Sequence, residues 1–464
     1  MTQEVRGTQA QAGTAHPLRW RILGFLGVAQ LMLILDVTVV AIALPHIETD
    51  LGLSRQAVTW TVSAYTLAFG GLMLLGGRAA DLLGAKRVVL AGLLVFTAAS
   101  LTAGLADSAG VLLGGRIAQG AGAALLSPSA LSLVVSMFDG DERNKALGVW
   151  SSLGGGGAAL GVLLGGLLTA GPGWPWVFFV NVPIGLVILV ALARMLPRQH
   201  AAAPRPRLDV LGAVLITASS SVLIYAVNRA GDHGWATAAT GGLVLAAAAG
   251  YLAFAVRQKT AASPMMDVDL LVRRPVATGT FLIAMATALM IAVFFLGTFY
   301  FQHGRDYGAL RTGLLFLPVA GATMLGANLT GRAIARAGAR PLGVAGLLTT
   351  AAGMALPALS IRPATVVIGI AIAGAGTGAV FVVASATALG QVAPHESGIA
   401  SGIVSTFHEF GASIGAAVIS SVAAASIVGD TLSGFTDGFG LAAVAAAVAA
   451  LAAAVLTPGR PKAS

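Results

Sequence analysis

Four ionisable side chains stand well inside long apolar stretches of this 464-residue chain: Asp36, Arg116, His408 and Glu409. A charged group in hydrocarbon costs at least ~2.5 to 3.5 kcal/mol, so such a residue normally faces a partner or a water-filled cavity. A carboxylate in that position can hold a cation or exchange a proton, because desolvation favours its neutral form and a nearby positive charge favours its ionised form. Asp36 has no basic neighbour on its own helix. It reads either as a buried acid tied structurally to Arg116 or a backbone group, or as a carboxylate whose protonation changes during function, and the second reading is preferred. Arg116 is its counter-ion in either case. His408 and Glu409 adjoin, and consecutive helical residues point ~100° apart. One of them at most is expected at the cavity centre, Glu409 as a substrate or proton group and His408 as a second substrate contact.

The elements that must carry these residues are membrane helices. Hydrophobic residues make up 57% of the chain and charged residues 10%, against roughly a quarter charged in a soluble domain. The apolar residues come in continuous runs of about twenty, long enough to cross a ~30 Å hydrocarbon layer at ~1.5 Å per residue. Their continuity excludes a transmembrane barrel, whose strands alternate. Sixty-one glycines suit helices that approach closely in lipid. Fourteen spans are counted, an all-α polytopic membrane protein. The first apolar run reaches Leu44, too long for a signal-peptide core, and is read as a retained helix.

The basic residues give the sidedness. With an even number of spans both termini share one side, and with the amino terminus inside, 21 of the 27 Lys and Arg fall in inner segments. The outer segments hold Arg55, Arg229, Arg305, Arg311 and Arg362, and Arg116 lies within a span. Both ends are therefore expected in the cytoplasm, with the chain in the cell membrane. Topology also explains the net charge of +9, so no nucleic-acid partner is expected. Counted from the outer span ends, Asp36 lies ~12 Å deep, Arg116 ~8 Å and Glu409 more than ~14 Å. One cavity near the midplane is expected to take them all.

The chain also matches itself at an offset of 254 residues. Gly77-Arg78-Ala79 pairs with Gly331-Arg332-Ala333, Gly84-Ala85 with Gly338-Ala339, and Ala91-Gly92-Leu93-Leu94 with Ala345-Gly346-Leu347-Leu348. Gly115, Gly120 and Gly122 keep the same register with Gly369, Gly374 and Gly376. The expected organisation is a tail (1–21), a six-helix half (22–196), a linker with two inserted helices (197–274), a second six-helix half (275–457) and a tail (458–464). Two halves in parallel orientation are the arrangement of transporters that rock around a central site.

Between spans 2 and 3, Gly77, Asp81, Gly84, Lys86 and Arg87 are spaced Gly-x-x-x-Asp-x-x-Gly-x-basic-basic. The pattern resembles the loop signature of the major facilitator superfamily, complete at every marked position; the second copy has Ala335 in the acid position. The segment Leu35-Asp36-Val37-Thr38-Val39-Val40 resembles the first-helix motif of the fourteen-helix drug/proton antiporters in that superfamily, and Arg116 with Gln119 and Gly120 resembles their fourth-helix motif. Gly157, Gly161, Gly165 and Gly166 look like the antiporter motif of the fifth helix, with Val162 in place of the usual proline. Trp174-Pro175-Trp176 matches the branch apart from Pro175, and its tryptophans read first as an interfacial aromatic belt. The resemblance implies the major facilitator fold and a proton-coupled efflux antiporter working by alternating access on hydrophobic drugs or metabolites, expected to be cationic. Asp36, Arg116 and Glu409 would couple protons, and Asp36, Glu409 and His408 would meet substrate. Asp81 would act as a latch against the start of a second-half helix near Ser397 and Gly398.

Other functions have less support. Antiport requires a protonatable group that competes with substrate, and two membrane acids supply it, whereas a facilitator or symporter of a specific solute such as a sugar would be expected to show more Asn, Gln and Trp in its spans. A lipid enzyme would need clustered acids that are missing. Cysteine is absent, so thiolate metal sites and thiol nucleophiles are excluded. The glycine-rich run 374–378 has no preceding strand and no Gly-Lys-Ser/Thr, which excludes a phosphate-binding loop and a nucleotide. No cofactor is expected; the partners are a small molecule, protons and the lipid bilayer, and a monomer is expected.

Overall fold

A continuous apolar run in hydrocarbon must satisfy its backbone within itself, and the helix does so. The computed structural model describes residues 18–138, 140–196, 209–262, 264–265, 268–389, 397–423 and 432–457. In the first half the helices are α1 (Arg19–Leu51), α2 (Arg55–Leu83), α3 (Ala85–Gly104), α4 (Ala109–Met137), α5 (Gly140–Ala170), a single turn α6 (Trp176–Phe179) and α7 (Asn181–Met195). The insertion supplies α8 (Val210–His233) and α9 (Ala238–Thr260), followed by the short α10 (Val268–Val272). The second half has α11 (Arg274–Gln302), α12 (Ala309–Ala337), α13 (Ala339–Leu359), α14 (Pro363–Leu389), α15 (Ser397–Val422) and α16 (Ser433–Leu456). Among the described residues thirteen spans are long and apolar enough to cross a membrane, with α6 and α7 acting as one. The fourteenth is α5, whose described apolar part is Leu160–Ala170.

Helix ends follow local chemistry. The side chain of Ser54 accepts from the Ala57 N–H to start α2, and that of Thr237 accepts from the Thr240 N–H to start α9. α1 runs beyond the span read from sequence, through Pro45 to Leu51, and ends on Gly52 in the left-handed region (φ 57°). The turns α2–α3 and α12–α13 each hinge on a glycine, Gly84 and Gly338, both at φ 89°.

The internal repeat is visible in the helix starts. α2, α3 and α4 begin at 55, 85 and 109, and α12, α13 and α14 begin 254 residues later, at 309, 339 and 363. Packing repeats too: a Cβ on Gly92 would sit 2.7 Å from the Gly122 carbonyl, and one on Gly346 would sit 3.0 Å from that of Gly376. α8 lies against α2 and α15 on the outside, where Thr217 covers the bare backbone of Gly71, and α9 packs on α8.

One end of the bundle carries the start of α1 and the end of α16; it is called the near end here, and the opposite one the far end. At the far end the halves are sealed together. Arg55 Nη1 donates to Ser420 Oγ at 3.3 Å, Thr59 Oγ1 to Ser420 Oγ at 2.6 Å, and Gln302 Nε2 to the Ile42 carbonyl at 2.9 Å. Buried Ile42, Leu44, Ile47, Phe295, Phe299 and Phe301 fill the space between.

Candidate functional site

Asp36 and Arg116 meet, but inside the first half. α4 points Arg116 at α1, where Nη1 donates to Asp36 Oδ2 and, at 3.0 Å, to Gln119 Oε1; Nε donates to the Thr61 carbonyl at 2.8 Å. Gln119, one turn on from Arg116, donates Nε2 to Asp36 Oδ1 at 3.0 Å and to Ser100 Oγ at 2.8 Å. The guanidinium carbon lies 4.4 Å from the centre of the Tyr65 ring, a cation–π contact worth about 2 kcal/mol when desolvated. Asp36 is 2% exposed and Arg116 1%. The charges are tolerable only because both are paired and hydrogen-bonded; deleting one partner of such a pair costs about 3 to 5 kcal/mol.

The cavity is elsewhere. A space of about 570 Å³ lies between the halves, on the near-end side of the seal, within the usual range for small-molecule sites of ~300 to 1,000 Å³. Its wall is mostly apolar: Phe69, Phe294 and Phe381, Met73, Met290 and Met324, with aliphatic side chains of α1 and α11. Polar groups are sparse and include Gln30, Thr38, Thr287, Ser405, His408 and Glu409. Glu409 is the one charged residue in the wall among the described residues. It is 8% exposed and, among the described residues, makes no hydrogen bond or ion pair. It leaves α15 over Gly70 of α2, where a Cβ would stand 2.7 Å from the Glu409 Cβ. His408 Nδ1 lies 3.0 Å from Thr287 Oγ1.

The structure thus divides the four intramembrane ionisable residues into two pairs. Glu409 and His408 line the cavity, both of them, because the wall wraps far enough around α15 to include two adjacent positions. Asp36 and Arg116 do not line it. Leu33, Ile34, Val37 and Thr38 turn to the cavity, whereas Asp36 points to α4. Depth counted along the chain placed Asp36, Arg116 and Glu409 at one cavity near the midplane; rotation about the helix axis separates them. Asp36 is therefore corrected from a substrate contact to a member of a buried cluster. Tyr65 stands between the pairs, within electrostatic reach of both Asp36 and Glu409, its hydroxyl donating to the Leu33 carbonyl at 3.3 Å.

Residues 26–416 match the family model described as Major Facilitator Superfamily. The chain belongs to the major facilitator superfamily. It is a multi-pass membrane transporter and not an enzyme. Puromycin resistance protein pur8 of Streptomyces alboniger is 37% identical over 420 residues, which is 88% of this chain and 82% of that protein. The cephamycin export protein CmcT of Amycolatopsis lactamdurans is 36% identical over 93% of this chain and 90% of its own length. The tetracenomycin C resistance and export protein of Streptomyces glaucescens is 33% identical over 89% and 77%. Among solved structures, a bacterial homolog of the human lysosomal transporter Spinster superposes with a TM-score of 0.67 at 15% identity, over 95% of this chain and 96% of that one. A peptide transporter in complex with alafosfalin gives 0.66 at 17%, over 97% of each.

The superfamily's motif glycines can be placed on this frame. Gly157, Gly161 and Gly165 form one stripe of α5 against α1: added Cβ atoms would meet Ile34 at 2.7 Å, the Thr38 hydroxyl, and the Val39 Cα at 3.0 Å. Gly166 turns instead to the other half, 2.8 Å from the Ala309 carbonyl of α12. Val162 is fully buried there, beneath Gly313. In the loop signature, Gly77 has only a 3.7 Å contact with Pro128, while Lys86 donates to the carbonyls of Leu196 and, at 3.0 Å, Ala193, capping the end of α7. Arg87 is exposed. The side chains of Asp81 and of residues 397–399 lie outside the described ones, so the expected latch has no structural account. Trp176 is exposed, as a belt residue should be, but Trp174 is buried with Nε1 donating to Asp50 Oδ2 at 2.7 Å. Sequence reasoning missed Thr61, Tyr65, Ser100 and Thr287. Only the spacing of Gln119 one turn from Arg116 offered a signal for the network.

Proposed function

We propose that the protein exports hydrophobic small molecules, with cations preferred, from the cytoplasm across the cell membrane in exchange for protons. The observation that carries this reading is Glu409, among the described residues a single carboxylate without a partner in an apolar cavity at the contact of the two halves. A desolvated carboxylate favours a monocation over a neutral molecule of the same shape, and the aromatic and methionine wall accepts varied apolar bodies. The relatives, named for resistance to or export of antibiotics, support export of such compounds. The concentration of Lys and Arg in the near-end segments supports a cytoplasmic near end, with both termini there. With the far end sealed, the cavity is then reached from the cytoplasm.

For coupling, the Asp36–Arg116–Gln119 cluster is the proton-dependent element and Glu409 the group that proton and substrate use in turn. When the halves rock, water from outside reaches the site. Protonation neutralises a carboxylate, releases the cation and loosens the hold on Arg116. Tyr65, close to both pairs, passes the change between them. The test is substrate-induced proton release from purified protein in detergent. Wild type should release protons on binding a lipophilic cation, and Asp36→Asn should release fewer while remaining folded. Release equal to wild type would move coupling to Glu409 alone, and no release in wild type would defeat antiport.

A further inference from the structure

One hydrogen bond in the cavity wall determines how the imidazole presents itself. Thr287 of α11 has a single hydroxyl proton, and the Ile283 carbonyl one turn back accepts it at 2.9 Å. With the hydroxyl proton placed on the Ile283 carbonyl, the contact of Thr287 Oγ1 with His408 Nδ1, at 3.0 Å, takes its proton from the ring. In the neutral imidazole this leaves Nε2 as a bare acceptor. Phe381, whose ring centre lies 5.7 Å from that of His408, packs on the same side chain and limits its rotation. The wall therefore carries two acceptors on adjacent residues of α15, the His408 Nε2 lone pair and the unpaired Glu409 carboxylate. Lysine and arginine are absent from it among the described residues.

Charge selection needs Glu409 alone; the second acceptor adds a requirement for hydrogen-bond donors. Resting on the exporter reading above, we propose that the Thr287–His408 pair makes the cavity selective for ammonium ions carrying at least two N–H groups, those of primary or secondary amines, over quaternary ammonium ions of similar body. A secondary ammonium donates one N–H to the carboxylate and one to Nε2. A tertiary ammonium satisfies one acceptor, and a quaternary ion, though it still meets the carboxylate's charge, leaves both without a hydrogen bond, a penalty that apolar contact does not offset. Thr287 is a positioning residue, holding the tautomer that makes Nε2 an acceptor; without its hydroxyl the ring proton can move from Nδ1 to Nε2, which then becomes a donor.

The experiment measures equilibrium binding to the purified full-length protein at neutral pH. The probes are N-methyl(diphenylpropyl)amine, its dimethyl tertiary analogue and its trimethylammonium analogue. Wild type should bind the secondary amine about tenfold tighter than the quaternary ion, a difference of about 1.4 kcal/mol, with the tertiary amine between. Thr287→Val should bring the ratio to within about threefold of one, and Thr287→Ser, which keeps the hydroxyl, should restore it. Glu409→Gln should weaken all three probes together, which tests the cation reading separately. Equal wild-type affinities, or a ratio that survives Thr287→Val, would overturn the amine selectivity and leave cation export standing. Binding of none of the three would overturn both.

Discussion

In the first half, Asp36, Arg116 and Gln119 fill the contact of α1 with α4; at the same register in the second half stand Met290, Ile370 and Ala373, with Met354 opposite Ser100. Ile370, Ala373 and Met354 are fully buried. One backbone arrangement thus holds a charged network in one copy and an apolar contact in the other. The helix arrangement does not by itself require the charges. The acid of the second half sits elsewhere, on α15 facing the cavity, where the α5 register has Gly155. The two halves thus differ, with a buried charged cluster in one and a cavity-facing carboxylate in the other.

The largest expected effect comes from transplanting one half's chemistry into the other. Arg116→Ile alone leaves Asp36 buried without its counter-ion and should cost about 3 to 5 kcal/mol, seen as a sharp fall in thermal stability in detergent. The triple change Asp36→Met, Arg116→Ile, Gln119→Ala copies the second half and should recover most of that loss, since well-packed apolar residues replace a buried ion pair with little penalty. The triple variant should nonetheless lose pH-driven export in proteoliposomes. Export at the wild-type rate would show that the difference between the halves is ornamental.

The reciprocal change acts on the second half. Glu409→Gln should reduce transport of permanent cations about tenfold, and of neutral compounds less than about threefold. An equal fall for both classes, measured side by side in one vesicle preparation, would assign Glu409 to folding or proton transfer instead of charge selection.

A smaller effect concerns how the halves touch. A methyl at Gly166 would meet the Ala309 main chain across the interface, whereas Gly110 has open space around it. Gly166→Ala should destabilise the far-closed arrangement by about 1 to 3 kcal/mol and increase labelling of far-end positions; Gly110→Ala should do neither. Matching labelling patterns in the two variants would remove Gly166 from the seal.

The smallest effect lies outside the halves. Asp209, before α8, accepts from the Gly212 N–H at 3.1 Å, Arg257 Nε at 3.0 Å and Gln258 Nε2 at 2.7 Å, tying the two inserted helices together at the near end. Burial works to raise its pKa, but these donors hold the carboxyl below the ordinary value of 3.8. A depressed folded pKa stabilises above the unfolded value and is lost as pH falls through the folded one. Asp209→Asn should therefore lower the melting temperature by a constant amount at neutral pH, with the difference shrinking only below about pH 4. A difference that persists unchanged to lower pH would show that the loss does not come from the charge of the carboxylate.

The spans, the register of the repeat and the four intramembrane ionisable residues were legible in the chain, because each rests on a local or periodic property. Gly84 and Gly338, recognised as a repeated pair, proved to share a positive φ, since the same tight turn recurs at both places. The insertion of α8 and α9 outside the core agrees with their lack of a counterpart in the repeat. The cavity membership of Asp36 was misjudged because depth along a helix is counted from residue number, whereas facing depends on which neighbour packs where. Trp174 misled for the same reason: a tryptophan near a span end is equally fit to meet lipid headgroups or the carboxylate of Asp50.

By itself the sequence determined that the chain crosses the membrane, that it does so as two related halves, and which rare side chains must pay for being there, since hydropathy, spacing and the desolvation of charge act on each residue wherever its neighbours fall. Tertiary structure alone decided the partners. Arg116 meets Asp36 from 80 residues away, and Thr287 meets His408 from 121; contacts between helices so distant in sequence depend on crossing angles and on which glycines permit close approach. The division between a sealed charged cluster and an open carboxylate is a property of helix rotation, which period and composition leave free.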